Sequence, residues 1–372
     1  ISRGEKKQEK ANETATIGMA LTLVHCVIFV LFGLVVTRPF LQLFTSSPQV
    51  LEDACDYTYI VLCVSFGSLL QISLEKIYQG IGAMKTTMIL LATGCIINII
   101  LDPILIFGLL GFPAMGVQGA AIATVIGQIG AFLLYIVVYL HKNPGVTIHP
   151  RYLKLNWPLI RRIYSVGIPS SLMLMMPSLL VSALNGILAA FSEVYVAVLG
   201  VYFKLQTFIY MPANGMVQGM RPIIGYNYGA GQYGRVRQTI RYCLMGAAVL
   251  MLIGTVLSLA IPGGILQLFQ ADAELLAAGE TALRVISLGF LVSTVGVVFS
   301  GVFEALGRGG ESLAISLLRQ LVITVPLGFV LSRVLGAVGI WIAFPVSELI
   351  ASVAALILLK RYRNGEFFPF RN

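Results

Sequence analysis

The chain has 372 residues, 58% of them hydrophobic and 11% charged, with a net charge of +9. Soluble domains carry about 25% charged residues, so this composition excludes a water-soluble globule and points to a polytopic membrane protein. The basic residues lie in short loops between apolar runs, a distribution that argues against a nucleic-acid-binding face. Five cysteines without a CxxC pair and three histidines leave no basis for a disulfide framework or a metal cluster.

Ten apolar runs are long enough to cross about 30 Å of hydrocarbon as helices of roughly 20 residues. In chain order they are predicted at 14–37, 57–79, 86–107, 115–140, 163–191, 195–227, 238–261, 282–303, 312–332 and 336–359. Gly80-Ile81-Gly82, Gly111-Phe112-Pro113 and Gly307-Arg308-Gly309-Gly310 mark tight links between them. The polar stretch from Lys142 to Arg162 contains Pro144, Pro150 and Pro158 and is expected to run as irregular chain with a short surface helix. The expected division is a first lobe, 1–141, with four spans, a cytoplasmic linker, 142–162, and a second lobe, 163–372, with six.

The chain repeats itself. Gly4, Lys10, Leu41-Gln42-Leu43-Phe44 and Tyr78-Gln79-Gly80-Ile81-Gly82 recur 225 residues later as Gly229, Arg235, Leu266-Gln267-Leu268-Phe269 and Phe303-Glu304-Ala305-Leu306-Gly307. Past that point the offset falls to 220, where Gly116, Gly119 and Ala123 match Gly336, Gly339 and Ala343. A repeat of this size in an apolar chain points to a transporter built from two halves. About 70 residues before Gly229, from Lys154 to Tyr228, have no counterpart before Gly4, so the expectation is that the first copy lacks two leading helices. Restoring them gives six plus six, and an even number per half makes the repeat parallel.

Orientation follows from Lys and Arg. The loops on the side of the termini carry 19 of the 25 basic residues, whereas the opposite set has only Arg38, Arg284 and Arg333. The positive-inside rule predicts a multi-pass protein of the cytoplasmic membrane with both termini of this chain in the cytoplasm.

Ionisable groups inside spans each cost about 2.5–3.5 kcal/mol at a helix centre. Asp102 lies deep in its run, four residues after Asn98 and on the same helix face. Pro103 cannot donate to the carbonyl of Ile99, which leaves that oxygen free beside them. A carboxylate, an amide oxygen and a carbonyl, with Thr124 on the next helix, are hard ligands suited to Na⁺ or to holding a proton. Apart from Na⁺ or H⁺, no metal or cofactor is expected. The alternative is that Asn98 and Asp102 merely cap a kinked helix. Glu348 and Lys204 also fall mid-span, where they could pair as a bridge or Glu348 could serve a substrate cavity. Tyr202, Gln206, Tyr210, Asn214 and Gln218 recur every four residues and are expected to face that cavity. Arg221, Glu304 and Arg319 lie within reach of the cytoplasmic face, where long side chains snorkel. Met173, Met175 and Met176 suit either an adaptable cavity or ordinary packing. No hydrolase, Walker or Rossmann pattern occurs in a supporting context, so no enzyme is expected.

The strings Asn98-Ile-Ile-Leu-Asp102-Pro103, Gly116-Val-Gln-Gly-Ala-Ala-Ile-Ala-Thr124, Met211-Pro-Ala-Asn-Gly215, Pro222-Ile-Ile-Gly-Tyr-Asn-Tyr-Gly-Ala230 and Arg319-Gln320 resemble the multidrug and toxic compound extrusion (MATE) family along essentially the whole chain. The resemblance implies an all-α, two-lobe membrane fold that exports small organic cations in exchange for Na⁺ or H⁺, working in lipid as a monomer and without nucleic acid. It also implies a coupling-cation site at Asp102, Asn98 and Thr124. Two features depart from the family. An Asp of the family's first helix is not in this chain, and runs 163–191 and 282–303 lack the central carboxylates that other members use. A lipid-linked oligosaccharide flippase of similar build and a non-transporting truncated remnant are the alternatives.

Overall fold

The computed structural model describes residues 1–364 except Ser46, Asn143, Pro144 and Gln270, with side chains described as far as Lys360. The described residues form helices and turns without a strand. They divide into two compact units, one of residues 7–157 with Ser2, the other of residues 158 onward with Ile1 and Arg3–Lys6.

The first unit contains α1 (Gln8–Leu41), α2 (Pro48–Cys63), α3 (Phe66–Gly80), α4 (Met84–Phe107) and α5 (Gly116–His141). Helices α4 and α5 pack along their length, and α5 also packs on α2 and α3. Small residues permit this: a methyl group on Gly94 would stand 2.9 Å from Ala131 Cβ, and one on Gly127 would stand 2.8 Å from the Gly94 carbonyl. The second unit contains α6 (Trp157–Leu188), α7 (Glu193–Gly229), α8 (Tyr233–Ala260), α9 (Pro262–Gln267), α10 (Ala273–Ser287), α11 (Phe290–Ala305), α12 (Gly309–Leu317), α13 (Thr324–Leu335) and α14 (Ala337–Asn364). A π-helical turn, Leu318–Val322, joins α12 to α13.

Among the described residues, eight helical segments are long and apolar enough to cross a membrane, and two bent pairs, α2 with α3 and α10 with α11, pass the same test together. Counting each pair as one span gives ten, each overlapping a predicted run. The bends, 49° and 54°, are not visible in the hydropathy pattern. Both fall at a two-residue break, Val64-Ser65 in the first unit and Leu288-Gly289 in the second. Gly289 makes room there, since a methyl on it would meet Pro345 Cα of α14 at 2.9 Å. Leucines such as Leu110 and Leu174 remain 83% exposed, consistent with a surface solvated by lipid rather than water.

The internal repeat is reproduced in the helix starts, although α1 is one helix where α8 and α9 are two, and α4 is one where α12, the π-turn and α13 follow one another. Helix starts at 8, 48 and 84 recur at 233, 273 and 309. Gly82 and Gly307 both take positive φ, 85° and 77°. Each closes its helix with the same two bonds: Ala83 N–H to Tyr78 and Gly82 N–H to Gln79 in one copy, Arg308 N–H to Phe303 and Gly307 N–H to Glu304 in the other. Gly4 and Gly229 pack reciprocally, Gly4 against the carbonyl of Tyr226 and Gly229 against the carbonyl of Ile1. Ile1 and Tyr226 are themselves 225 apart.

The slip of five proves to be the net of two changes. Gly119 packs on the main chain of Leu105, and Gly339 packs on that of Leu331, so the offset after the π-turn is 226. The π-turn adds one residue to the second copy. The connection after it is six residues shorter, because Gly336, with φ 62°, replaces the 3₁₀ turn Leu109–Gly111 and its extended tail.

The linker expected at 142–162 is in two parts. Residues up to Trp157 belong with the first unit, and those from Pro158 with the second. Thr147 N–H bonds to Asn12 Oδ1 at 2.9 Å, Ile148 N–H to the Tyr139 hydroxyl at 2.7 Å, and Asn156 Nδ2 to Glu13 Oε1 at 2.9 Å. The expected surface helix is a single 3₁₀ turn, Pro150–Tyr152. Asn143 and Pro144 of this stretch lie outside the described residues.

Candidate functional site

Asn98 and Asp102 project from α4, and Thr124 from α5. Asn98 Nδ2 donates to Asp102 Oδ1 at 3.2 Å and to Thr124 Oγ1 at 3.4 Å. Thr124 donates its own proton to the Ala120 carbonyl at 2.9 Å, which leaves its lone pairs toward Asn98. The i,i+4 spacing sets the first contact. The second needs α4 and α5 close together, which Gly94 and Gly127 allow. Pro103 sits inside α4 without breaking it, so Ile99 has no i+4 donor.

Beside this trio is a cavity of about 230 Å³ lined by Gln71, Asn98, Thr124 and Gln128, with Leu91, Gly94, Cys95, Gly127 and Ala131. Asp102 lies one turn beyond it. Gln128 Oε1 is buried without a hydrogen-bond partner. Gln71 and Gln128 do not stand out in the sequence, although Gln128 follows Thr124 at i+4. Among the described residues no group of three or more His, Cys, Asp or Glu could hold a metal ion. A cation here would rest on one carboxylate and neutral oxygens, which suits Na⁺ better than a transition metal.

The second unit has its own cavity, about 340 Å³, lined among others by Gln206, Tyr210, Asn214, Arg319, Phe344 and Glu348. The five-residue polar line on α7 does not stay on one face. Steps of four residues drift by about 40° in an α-helix, so its ends diverge. Tyr202 is 4% exposed and packs edge-on against Phe203 and Phe344 at 5.3 and 5.4 Å. Gln206, Tyr210 and Asn214 line the cavity. Gln218 is exposed outside it and accepts from Arg221 Nη1 at 3.3 Å.

Lys204 also differs from expectation. It is exposed and lines no part of this cavity, because a two-residue step from Tyr202 or Gln206 turns it to the other side of α7. Glu348 pairs instead with Arg319, Nε to Oε1 at 3.6 Å. Arg319 does not snorkel, since it sits in the π-turn and faces inward. A bulge cannot be inferred from the run of residues 309–335, which reads as uninterrupted helix. Arg221 pairs with Glu304, which also accepts from Ser170 Oγ at 3.1 Å. Of the methionines, Met173 accepts from Ser312 at 3.3 Å, Met176 is buried and Met175 is exposed.

The MatE family model matches residues 2–104 and 169–330 of this chain. The multidrug export protein MepA of Staphylococcus haemolyticus (strain JCSC1435) is 27% identical over 366 residues, covering 98% of this chain and 80% of the relative. MepA of Staphylococcus aureus (strain MW2) is 28% identical over 291 residues, 78% of this chain and 63% of that relative, so this match spans less than two thirds of its length. The solved structure of the MATE multidrug transporter DinF-BH superposes with a TM-score of 0.88 at 31% identity, covering 99% of this chain and 81% of that one. A crystal structure of MATE in complex with MaL6 gives 0.90 at 23% identity, with 97% and 81% covered, a likeness of fold alone.

Proposed function

We propose that this chain, which belongs to the MatE family, is a secondary antiporter that exports organic cations across the plasma membrane in exchange for Na⁺ or H⁺ bound at Asp102. The observation that carries the reading is the Asn98 amide shared between Asp102 and Thr124, beside a cavity lined by α3, α4 and α5. A partly buried carboxylate hydrogen-bonded to a neutral amide is poised to take a cation or a proton. With the N–H of Asn98 toward Asp102 the site suits an ionised, empty carboxylate. Turning the amide over directs its oxygen inward, beside Asp102 and Thr124, to meet Na⁺ or an acid proton. Occupancy therefore changes the hydrogen bonding between α4 and α5, which is how an ion gains differential affinity for two conformations.

The excess of basic residues in one set of loops supports cytoplasmic termini. Lipid contact and a monomeric state are part of the same reading. A flippase for a lipid-linked pyrophosphate needs several cavity cations. Among the described residues, the one cation lining the second cavity is Arg319, paired with Glu348, and this disfavours that reading.

The test is reconstitution in proteoliposomes with ethidium as the transported cation, under an imposed Na⁺ or proton gradient. Asp102→Asn keeps the shape and removes the charge, so it should abolish gradient-driven movement while leaving folding intact. Asn98→Ala and Thr124→Ala each remove one oxygen and should weaken ion affinity by about tenfold, an effect near 1.4 kcal/mol, with less effect on maximal rate. Undiminished driven transport by Asp102→Asn would move the coupling site elsewhere.

A further inference from the structure

Glu75 of α3 is a buried carboxylate that the coupling trio does not use. Its side chain is 11% exposed. Gln71 Nε2 donates to its Oε2 at 3.4 Å, Gln79 Nε2 to its Oε1 at 2.8 Å, and the Lys76 ammonium stands 3.5 Å from Oε1. Among the described residues, its hydrogen-bond and ion-pair partners all belong to α3, so the charge is not a tie between helices. Glu304 of the second unit differs, because its partners come from α6 and α7. Nor does the fold need an acid at this level. At the offset of 225 given by the helix starts, Gln71 and Glu75 correspond to Gly296 and Ser300, and Ser300 is satisfied by Ser312 Oγ at 2.6 Å. A buried charge that packing can do without is a functional group by default in a span.

Depth arranges these groups in order. Helices α3 and α4 are joined by the short link 81–83, so distance along either helix from that link measures depth from one membrane face. At 1.5 Å per residue, Glu75 lies about 8 Å in along α3, Gln71 about 14 Å, Asn98 about 21 Å along α4 and Asp102 about 27 Å. Gln71 and Asn98 both line the 230 Å³ cavity, with Thr124 and Gln128 of α5. Gln128 Oε1 is buried without a partner, an acceptor available to a water or a cation in that cavity. Toward the link, Gln79 Oε1 accepts from Lys76 at 3.1 Å, and the Lys76 side chain is 54% exposed. A polar line therefore runs from exposed Lys76 through Gln79, Glu75 and Gln71 into the cavity, and from its far wall through Asn98 to Asp102. The titratable neighbours of Glu75 include Tyr135 of α5, whose ring packs on that of Tyr78 at 5.5 Å.

With their N–H groups on Glu75, Gln71 and Gln79 suit a bare carboxylate. Turned over, the two amides present oxygens beside it, and the three side chains offer hard ligands to Na⁺ or acceptors to an acid proton. We propose that Glu75 is a second cation station of the first unit, through which Na⁺ or H⁺ passes between the Asp102 site and the membrane face at the 81–83 link. The inference rests on the coupling reading of Asp102 and adds to it a route and a side. Lys76 keeps the station weak, because a fixed positive charge 3.5 Å from Glu75 opposes the arrival of another. The cation pauses at Glu75 and is held at Asp102, which lies beyond the reach of that ammonium.

The test uses the chain in proteoliposomes, with ethidium moved by an imposed Na⁺ or proton gradient, and the same protein in detergent, where a bound cation raises the melting temperature. Glu75→Gln keeps the shape and removes the charge. It should lower the maximal rate of driven transport about tenfold, the effect of one lost contact to a charged group on the rate scale, with KM for ethidium unchanged. It should retain the cation-dependent melting shift that Asp102→Asn loses. Glu75→Asp restores the carboxylate one methylene shorter and should recover most of the rate. Gln71→Leu leaves Glu75 charged, breaks its link to the cavity, and should slow transport to the same degree with a native melting response to cation. It decides the matter should Glu75→Gln fail to fold. A native rate in folded Glu75→Gln or in Gln71→Leu, loss of the melting response in either, or a rate that Glu75→Asp does not recover would each overturn the proposal. Asp102→Asn is assayed in parallel. Driven transport that survives Asp102→Asn sinks the coupling reading itself, whereas transport lost in Asp102→Asn and native in Glu75→Gln sinks the second station alone.

Discussion

Arg221 and Glu304 form an ion pair that ties α7 to α11, and Ser170 of α6 bonds to the same carboxylate. Three helices of the second unit therefore meet at one side chain. Glu304 is 10% exposed and Arg221 36%, so the pair is neither a screened surface bridge nor a sealed one. Glu304→Gln leaves Arg221 uncompensated, and Arg221 Nε already lacks a partner. The expected loss is about 1–3 kcal/mol, between the values for exposed and fully buried pairs. Ser170→Ala should cost about 1 kcal/mol. Thermal unfolding in detergent measures both. A Glu304→Gln protein that melts with the native one would show these helices held by apolar packing alone.

Gly119 and Gly339 make a sharper stability prediction. A methyl on Gly119 would stand 2.6 Å from the Leu105 carbonyl oxygen, and one on Gly339 would crowd the Leu331 carbonyl even more closely. Main chain cannot rotate aside as a side chain does. Gly119→Ala and Gly339→Ala should each cost about 1–3 kcal/mol through overpacking. Gly80→Ala, with nothing within 4 Å and ordinary helical backbone, should be near neutral or slightly stabilising. A melting temperature unchanged by Gly119→Ala would mean that α4 and α5 can separate freely, contrary to the contact between Asn98 and Thr124.

The features legible in the sequence are those set by periodicity. Ten apolar runs, the repeat and the pairing of Asn98 with Asp102 follow from hydropathy, offsets and i,i+4 spacing, whereas Thr124 joins them from the adjacent helix and through the family resemblance. The bends at Val64-Ser65 and Leu288-Gly289 are not legible, because an apolar run reads the same whether straight or bent. The pairing of Glu348 with Arg319 is hidden for a related reason. A π-turn shifts the register by one residue without changing composition, so Arg319 points inward where a regular helix leaves its direction open. Lys204 is misplaced when mid-span position is weighed and helical angle is not. Gln206 two residues away lines the cavity, and Lys204 on the other side of α7 does not.

The same angular drift along α7 separates residues that spacing alone would group, and cysteine labelling can read it. In a background lacking the five native cysteines, Gln206→Cys lies at the lining of the second cavity, Gln218→Cys on exposed surface, and Tyr202→Cys at a position 4% exposed. A polar maleimide should label Gln206→Cys and Gln218→Cys and leave Tyr202→Cys slow. Saturating ethidium should protect Gln206→Cys alone, because Gln218 lies outside the cavity beside Arg221. Tyr202→Cys also removes a ring packed on Phe203 and Phe344, an edge-on arrangement worth about 0.5–1.5 kcal/mol per pair beyond its buried area. Its labelling is therefore compared under conditions where the protein remains folded by its melting curve. Equal labelling and equal protection at all three positions would mean a single water-filled face along α7. The chamber would then extend well beyond the walls assigned to it, and the distinct role given to Gln206 would fail.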